Sequence, residues 1–283
     1  MDLYPLNLVL AVATASATIF LGFLPTKNVS SSFFAKETGK ALLAWIIVAV
    51  TSPPKILHYP LILAFFCFAA WWHFRRDRAF TGKMWLSVAS GLGISIGVML
   101  ILAVTPDSLP VHGGVFTIIG APPDPAEQMS EQIDQTILLV SIYVGGAVIG
   151  LAYVVHALLE TGSLTLTSSR QIIQRYATLL VALTFVRAAA SLTTYYRDCG
   201  GPVIWAKGSG THFFLNVIPL PNSISAEDVR IFDINLHLIL VFFVLPTLAI
   251  LSRRFILSGT RAFLLVLCLI GFLAEILARF EAL

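Results

Sequence analysis

The chain alternates long apolar runs with short polar breaks, and the runs set its architecture. Eight are readable, at 7–24, 38–52, 56–74, 84–104, 135–159, 172–196, 231–251 and 261–280. Most come close to the roughly 20 residues an α-helix needs to cross a hydrocarbon core of about 30 Å. The second is short and stops at Pro53-Pro54, since proline cannot continue a helical ladder. It starts at Thr38 or, alternatively, near Phe33, or it crosses only part of the bilayer. The pattern predicts an all-α integral membrane protein, a polytopic bundle of about eight transmembrane helices.

Composition agrees. Only 12% of the residues are charged, against about 25% in soluble domains, so no segment is polar enough to form a water-soluble domain. The chain 1–283 reads as one transmembrane domain. A net charge of +3 is too small to point to a nucleic-acid partner; the lipid bilayer is the expected surrounding. The first run is expected to be a membrane helix, not a signal peptide, because residues 1–7 carry Asp2 and no Lys or Arg where a basic region belongs.

Basic residues orient the bundle, because cytoplasmic loops are enriched in Lys and Arg. If Lys27, Lys36 and Lys40 lie inside, alternation also puts Arg75, Arg76, Arg78, Lys83, Arg170, Arg175, Arg253, Arg254 and Arg261 there. That is twelve of the eighteen basic residues. Lys55, Arg197, Lys207, Arg230 and Arg279 fall on the other side. A seven-span arrangement would split the basic loops between both sides, so eight crossings are favoured, with both termini lumenal or outside, in an endomembrane or the plasma membrane. The two long connections, 105–134 and 197–230, are then lumenal. The first holds Asp107, Asp124, Glu127, Glu131 and Asp134 with five prolines and no basic residue. Loops this long are either functional lids or ordered caps without chemistry.

Smaller signals add detail. Asn28-Val29-Ser30 matches a glycosylation acceptor, but the topology puts it in the cytoplasm, where it is expected to be unmodified. Cys67 and Cys268 fall in apolar runs as packing residues, and Cys199 has no loop partner, so no disulfide framework is expected. Gly93/Gly97 and Gly146/Gly150 are small-xxx-small pairs that let helices approach closely, expected within one chain more than between copies. Pro246 is expected to kink the seventh span. Trp71 and Trp72, next to the basic loop, look like interface anchors.

Ionisable groups inside a bilayer are costly and usually face a cavity or a partner. Arg187 lies eleven residues beyond Tyr176, about 16 Å up its helix at 1.5 Å per residue. Ser191, Thr194 and Asp198 follow on the same face. Asp233 and His237 share a face of the seventh span, and Glu275 lies in the eighth. Counted from the lumenal boundaries, Arg187, His237 and Glu275 are each roughly 9–14 Å deep, and Tyr143 of the fifth span is at a similar level. The depths predict a polar pocket walled by spans five to eight, with Glu275 or Asp233 paired to Arg187. The alternative is a buried ion pair that only fixes helix packing. His73, and His156 with Glu160, sit at cytoplasmic helix ends. They read as interfacial residues, or alternatively as axial ligands of a haem. No DDxxD, Walker A, GxSxG or zinc motif is present.

The lumenal end, with Tyr195-Tyr196-Arg197-Asp198, Asp233, His237 and Glu275, resembles in its general organisation the small membrane-bound terpene cyclases of fungal meroterpenoid pathways. The resemblance covers the architecture of most of the chain and carries no specific motif. It implies an enzyme without metal or cofactor that takes a lipophilic prenylated epoxide from the bilayer and starts its cyclisation by protonation from an intramembrane carboxylic acid. Glu275 or Asp233 would be the acid, a role suited to a carboxyl in low dielectric. Arg187, His237 and Asp198 complete the catalytic candidates. Tyr143, Tyr195, Tyr196, Trp205 and Phe232 would present aromatic faces to the cation. Two other functions fit the same residues: a transporter or exporter of small molecules or lipids, and a haem-bearing or structural subunit of a membrane complex.

Overall fold

A computed structural model describes residues 4–27, 29–52, 56–104, 125–160, 167–198, 236–255 and 261–282, with side chains described over 6–27, 29–52, 56–95, 140–160, 170–193, 236–255 and 261–278. Among the described residues the chain is all-helical. The helices are α1 (Tyr4–Phe23), α2 (Ser31–Thr51), α3 (His58–Arg75), α4 (Ala79–Val104), α5 (Pro125–Glu160), α6 (Thr167–Asp198), α7 (Leu236–Phe255) and α8 (Ala262–Ala282). Among the described residues four segments are long and apolar enough to cross a membrane: Leu6–Phe23, Val140–Glu160, Arg170–Thr193 and Leu236–Phe255; Ala262–Ala278 is a shorter apolar helix.

Of the two starts open for the second run the structure takes the earlier: α2 begins at Ser31, close to Phe33 and seven residues before Thr38. Ser30 caps it by accepting from the Phe33 N–H at 3.3 Å, which satisfies one of the orphan donors of the first turn. The polar stretch Lys36-Glu37 therefore belongs to the helix. α5 begins at Pro125, not Gln135, because proline is well suited to a first helical turn and carboxylates there favour the positive end of the helix dipole. Glu127, Glu131 and Asp134 are thus helical residues, while the rest of the two long connections, 105–124 and 199–230, lies outside the described residues, as does Asn28.

α1 is the hub, packed against α2, α4, α5 and α8. At one end Asn7 donates to Ser52 Oγ at 3.0 Å and accepts from Thr51 Oγ1 at 3.0 Å, tying the start of α1 to the end of α2. At the other end Lys83 of α4 reaches the last carbonyls of α1, bonding Leu21 O at 3.1 Å and Leu24 O; a cation there offsets the negative pole of the helix. Lys36 meets Glu160 at 3.2 Å, which brings the start of α2 to the end of α5. Arg75 and Arg76 lie over the rings of Trp71 and Trp72. Consecutive helices from α1 to α5 therefore run antiparallel, and Lys36, Lys40, Arg75, Arg76 and Lys83 collect at one end.

The α1–α5 seam depends on small residues. A Cβ on Gly150 would stand 2.6 Å from the Ala17 nitrogen and 2.9 Å from the Ala13 oxygen, both backbone atoms that cannot swing away. The Gly146/Gly150 pair thus packs within one chain. Gly150→Ala is expected to cost about 1–3 kcal/mol, the range for overpacking, read as a lower unfolding midpoint; an unchanged midpoint would mean α1 and α5 do not meet this closely.

The outer surface is apolar. Val50 is 79% exposed, Phe65 60%, Phe80 85%, Phe243 70% and Leu269 64%. A water-soluble monomer rarely exposes large side chains on this scale; such surfaces mark membrane or protein contacts.

Candidate functional site

Three helices bring polar groups together in the interior. Arg187 of α6 is 1% exposed, Ser191 2%, His237 of α7 1% and Glu275 of α8 3%. Arg187 Nε donates to Glu275 Oε1 at 2.5 Å, and its Nη1 donates to Ser191 Oγ at 2.5 Å. Ser191, one turn along from Arg187, lies 3.4 Å from His237 Nε2, and His237 Nδ1 lies 2.9 Å from the Ala274 carbonyl. The Ala274 carbonyl only accepts, so Nδ1 of His237 carries a hydrogen. Arg187 donates twice, to a carboxylate and to a serine, and the serine hydroxyl lies within reach of the imidazole.

Local sequence explains how each group is placed. Arg187 and Ser191 are four residues apart and share a face. His237 lies three residues before a π-helical turn, Leu240–Val244, after which the Leu245 N–H bonds Leu240 O. Pro246 has no N–H for the carbonyl four residues back, so the ladder widens there; such turns are frequent at functional sites. The bend expected at Pro246 takes this form. On α5 the neighbour of Glu275 is Gly145, where a Cβ would stand 2.1 Å from the carboxyl carbon. The carboxylate fills the space a side chain would take.

The structure thus brings Arg187, His237 and Glu275 together, with Ser191 between them. It turns Tyr143 elsewhere. Its hydroxyl donates to the Ile94 carbonyl of α4 at 2.5 Å, and its ring packs beside Leu8, Val12 and Ile142. Tyr143 and Gly145 are two positions apart, so they point about 200° apart on a helix of 3.6 residues per turn. Tyr195, Tyr196 and Asp198 belong to the last turns of α6, and their side chains lie outside the described residues, as do Trp205, Phe232 and Asp233 altogether. His73 and His156 sit on α3 and α5, and among the described residues each has a buried Nδ1 without a hydrogen-bond partner. Among the described residues no three His, Cys, Asp or Glu side chains are grouped to hold a metal.

Sequence reasoning passed over a second buried carboxyl. Glu37 of α2 is 1% exposed; it accepts from the Tyr153 hydroxyl of α5 and from Lys40 Nζ at 3.1 Å. The signal was present: Glu37 and Lys40 are three residues apart, a spacing that pairs charges on one helical face.

Comparison with protein-family models, curated proteins and solved structures found no match.

Proposed function

We propose that the chain is a multi-pass membrane enzyme that cyclises a lipophilic prenylated substrate after protonating it. It crosses the bilayer about eight times, with its basic end cytoplasmic and both termini lumenal or outside. The apolar exterior and the gathering of Lys36, Arg75, Arg76 and Lys83 at one end support that placement. The observation that carries a functional reading is the buried chain Glu275–Arg187–Ser191–His237, drawn from three helices. Apolar side chains of similar volume would often hold the helices as well as a buried ion pair, or better, and ionisable groups within a membrane are a marker of function. The reaction class comes from the resemblance, which the geometry supplements.

A carboxylate that accepts from a guanidinium is not a proton donor, so Glu275 is the fixed negative charge of the site and Arg187 its positioning residue. Asp233, four residues before His237, is the acid. Its proton goes to the epoxide oxygen, the C–O bond opens to a carbocation, and an alkene of the prenyl chain attacks that carbon to close the ring. The final cation loses a proton to a carboxylate. Tyr195, Tyr196, Trp205 and Phe232 supply aromatic faces that steady the positive charge. A transport route would instead need polar groups through both leaflets. Between the Glu275 end and the Glu37 end, α5 and α8 place Ile149, Cys268 and Phe272 along an apolar cavity.

The test is product formation in a host expressing the chain and fed a panel of prenylated aromatic epoxides. The parent is expected to give a cyclised product. Asp233→Asn should lower it about 100-fold or more at equal protein level, the scale of a lost general acid. No product from the parent across the panel would overturn the cyclase reading in favour of transport or a subunit role.

A further inference from the structure

A cavity of about 310 Å³ lies between α1, α2, α5 and α8, and none of Arg187, Ser191, His237 and Glu275 lines it. Its size is at the lower end of the range for small-molecule pockets, about 300–1,000 Å³. α1 forms its floor from Leu10 to Leu21, a stretch of about 16 Å at the helical rise, so the space is elongated along the helix. Ala13, Ala44, Ile149 and Phe272 give it apolar walls. The hydroxyl of Thr14, which also lines it, is turned back to the Leu10 carbonyl at 2.7 Å. Polar chemistry is concentrated at one end, where Glu37, Lys40 and Tyr153 meet.

That end has a specific hydrogen-bonding character. Glu37 is already matched in charge by Lys40, and the neighbouring Lys36 by Glu160. A cationic head group would compete with Lys40, and an anionic one would face the Glu37 carboxylate. Tyr153 gives its hydrogen to Glu37, so its oxygen presents a lone pair. Lys40, half-exposed, has further N–H donors beyond the one given to Glu37. A group that both donates and accepts without net charge satisfies the pair: a hydroxyl. The polar end lies at the basic face of the bundle, close to Lys36 and Glu160, and the apolar length runs from it toward the bundle centre. This is how a long-chain alcohol lies in a leaflet, head at the interface and chain inward.

We propose that the cavity between α1, α2, α5 and α8 binds one long-chain alcohol, its hydroxyl held by Tyr153 and Lys40 beside Glu37 and its chain along α1. The proposal rests on the membrane placement and is independent of the reaction class. The probe is hexadecanol carrying a mid-chain diazirine, photolysed with the purified full-length chain in lipid nanodiscs, with labelled residues located by mass spectrometry. Label is expected on cavity residues such as Ile149 and Phe272, and unlabelled hexadecanol should remove it. Hexadecylamine and hexadecanoic acid should compete about tenfold less well, since one or two hydrogen bonds, each about 0.5–1.5 kcal/mol, separate them. Ala44→Phe, which fills the cavity, should abolish the label. Tyr153→Phe, which keeps the ring and removes the acceptor, should weaken competition by hexadecanol about three- to tenfold on the same scale. Label spread equally over the outward-facing Phe65 and Phe243, or unchanged in folded Ala44→Phe, would overturn the site. Equal competition by the amine or the acid, or by hexadecanol in Tyr153→Phe and the parent, would overturn the head-group assignment. Cyclase assays on the same protein are read separately, so loss of one result does not imply loss of the other.

Discussion

Arg187→Met is expected to destabilise the chain by about 3–5 kcal/mol, the scale for breaking a buried ion pair. The loss comes mainly from what remains. Glu275, 3% exposed, keeps its charge in a place water does not reach, and Ser191 loses the donor that holds it at 2.5 Å. Glu275→Leu alone should cost a similar amount by leaving the guanidinium without a counter-charge. The double variant Arg187→Met/Glu275→Leu should recover most of the loss, because two apolar side chains of similar volume need no partner. The two single effects are therefore strongly non-additive, as expected of residues in contact. Unfolding midpoints in mixed micelles measure all three. Single variants within about 0.5 kcal/mol of the parent, the size of ordinary surface changes, would mean the pair is open to solvent.

Gly145→Ala is the second large effect. Its new methyl would stand 2.1 Å from the Glu275 carboxyl carbon and 2.2 Å from one oxygen. Neither distance is physically possible, so α5 or the carboxylate must move. Moving the carboxylate stretches its bond to Arg187; moving α5 opens the seam with α1. The expected cost is the upper part of the overpacking range, about 2–3 kcal/mol, plus part of the ion-pair loss. The two causes separate in the background of Glu275→Leu/Arg187→Met, where the charge is gone and only the steric part of the penalty should persist. An undiminished penalty in that background would mean the clash is with something other than the carboxylate.

What was readable in the sequence follows from what each feature depends on. Helix stops set by proline or by an abrupt change of polarity were legible, as at Pro53-Pro54 and at Val104. Helix starts were harder. α2 starts at Ser31 because Ser30 caps it, yet Lys36-Glu37 reads as a polar break. α5 starts at Pro125 although its first turns have the composition of a loop. The Arg187–Glu275 pairing was reachable from depth alone, because helical rise converts sequence position into height, and two charges at one height in a membrane have reason to meet. Direction around the helix was harder. Tyr143 has the right height and the wrong azimuth, since its hydroxyl goes to Ile94, and Gly145 escaped notice because a glycine's role lies in what occupies its empty side. Glu37 was overlooked because it was placed outside the membrane span, where charge carries no cost.

The most direct measurement of whether the buried chain serves chemistry or only packing is cyclised product from the folded double variant Arg187→Met/Glu275→Leu, compared with the parent at equal protein level. In that protein the helices are expected to hold together with the ion pair gone and Ser191 and His237 still in place. The expected result is a near-parent unfolding midpoint with product lost. A near-parent midpoint with product formed at the parent rate would contradict a functional site at Arg187 and Glu275, and leave the pair as a device of helix packing.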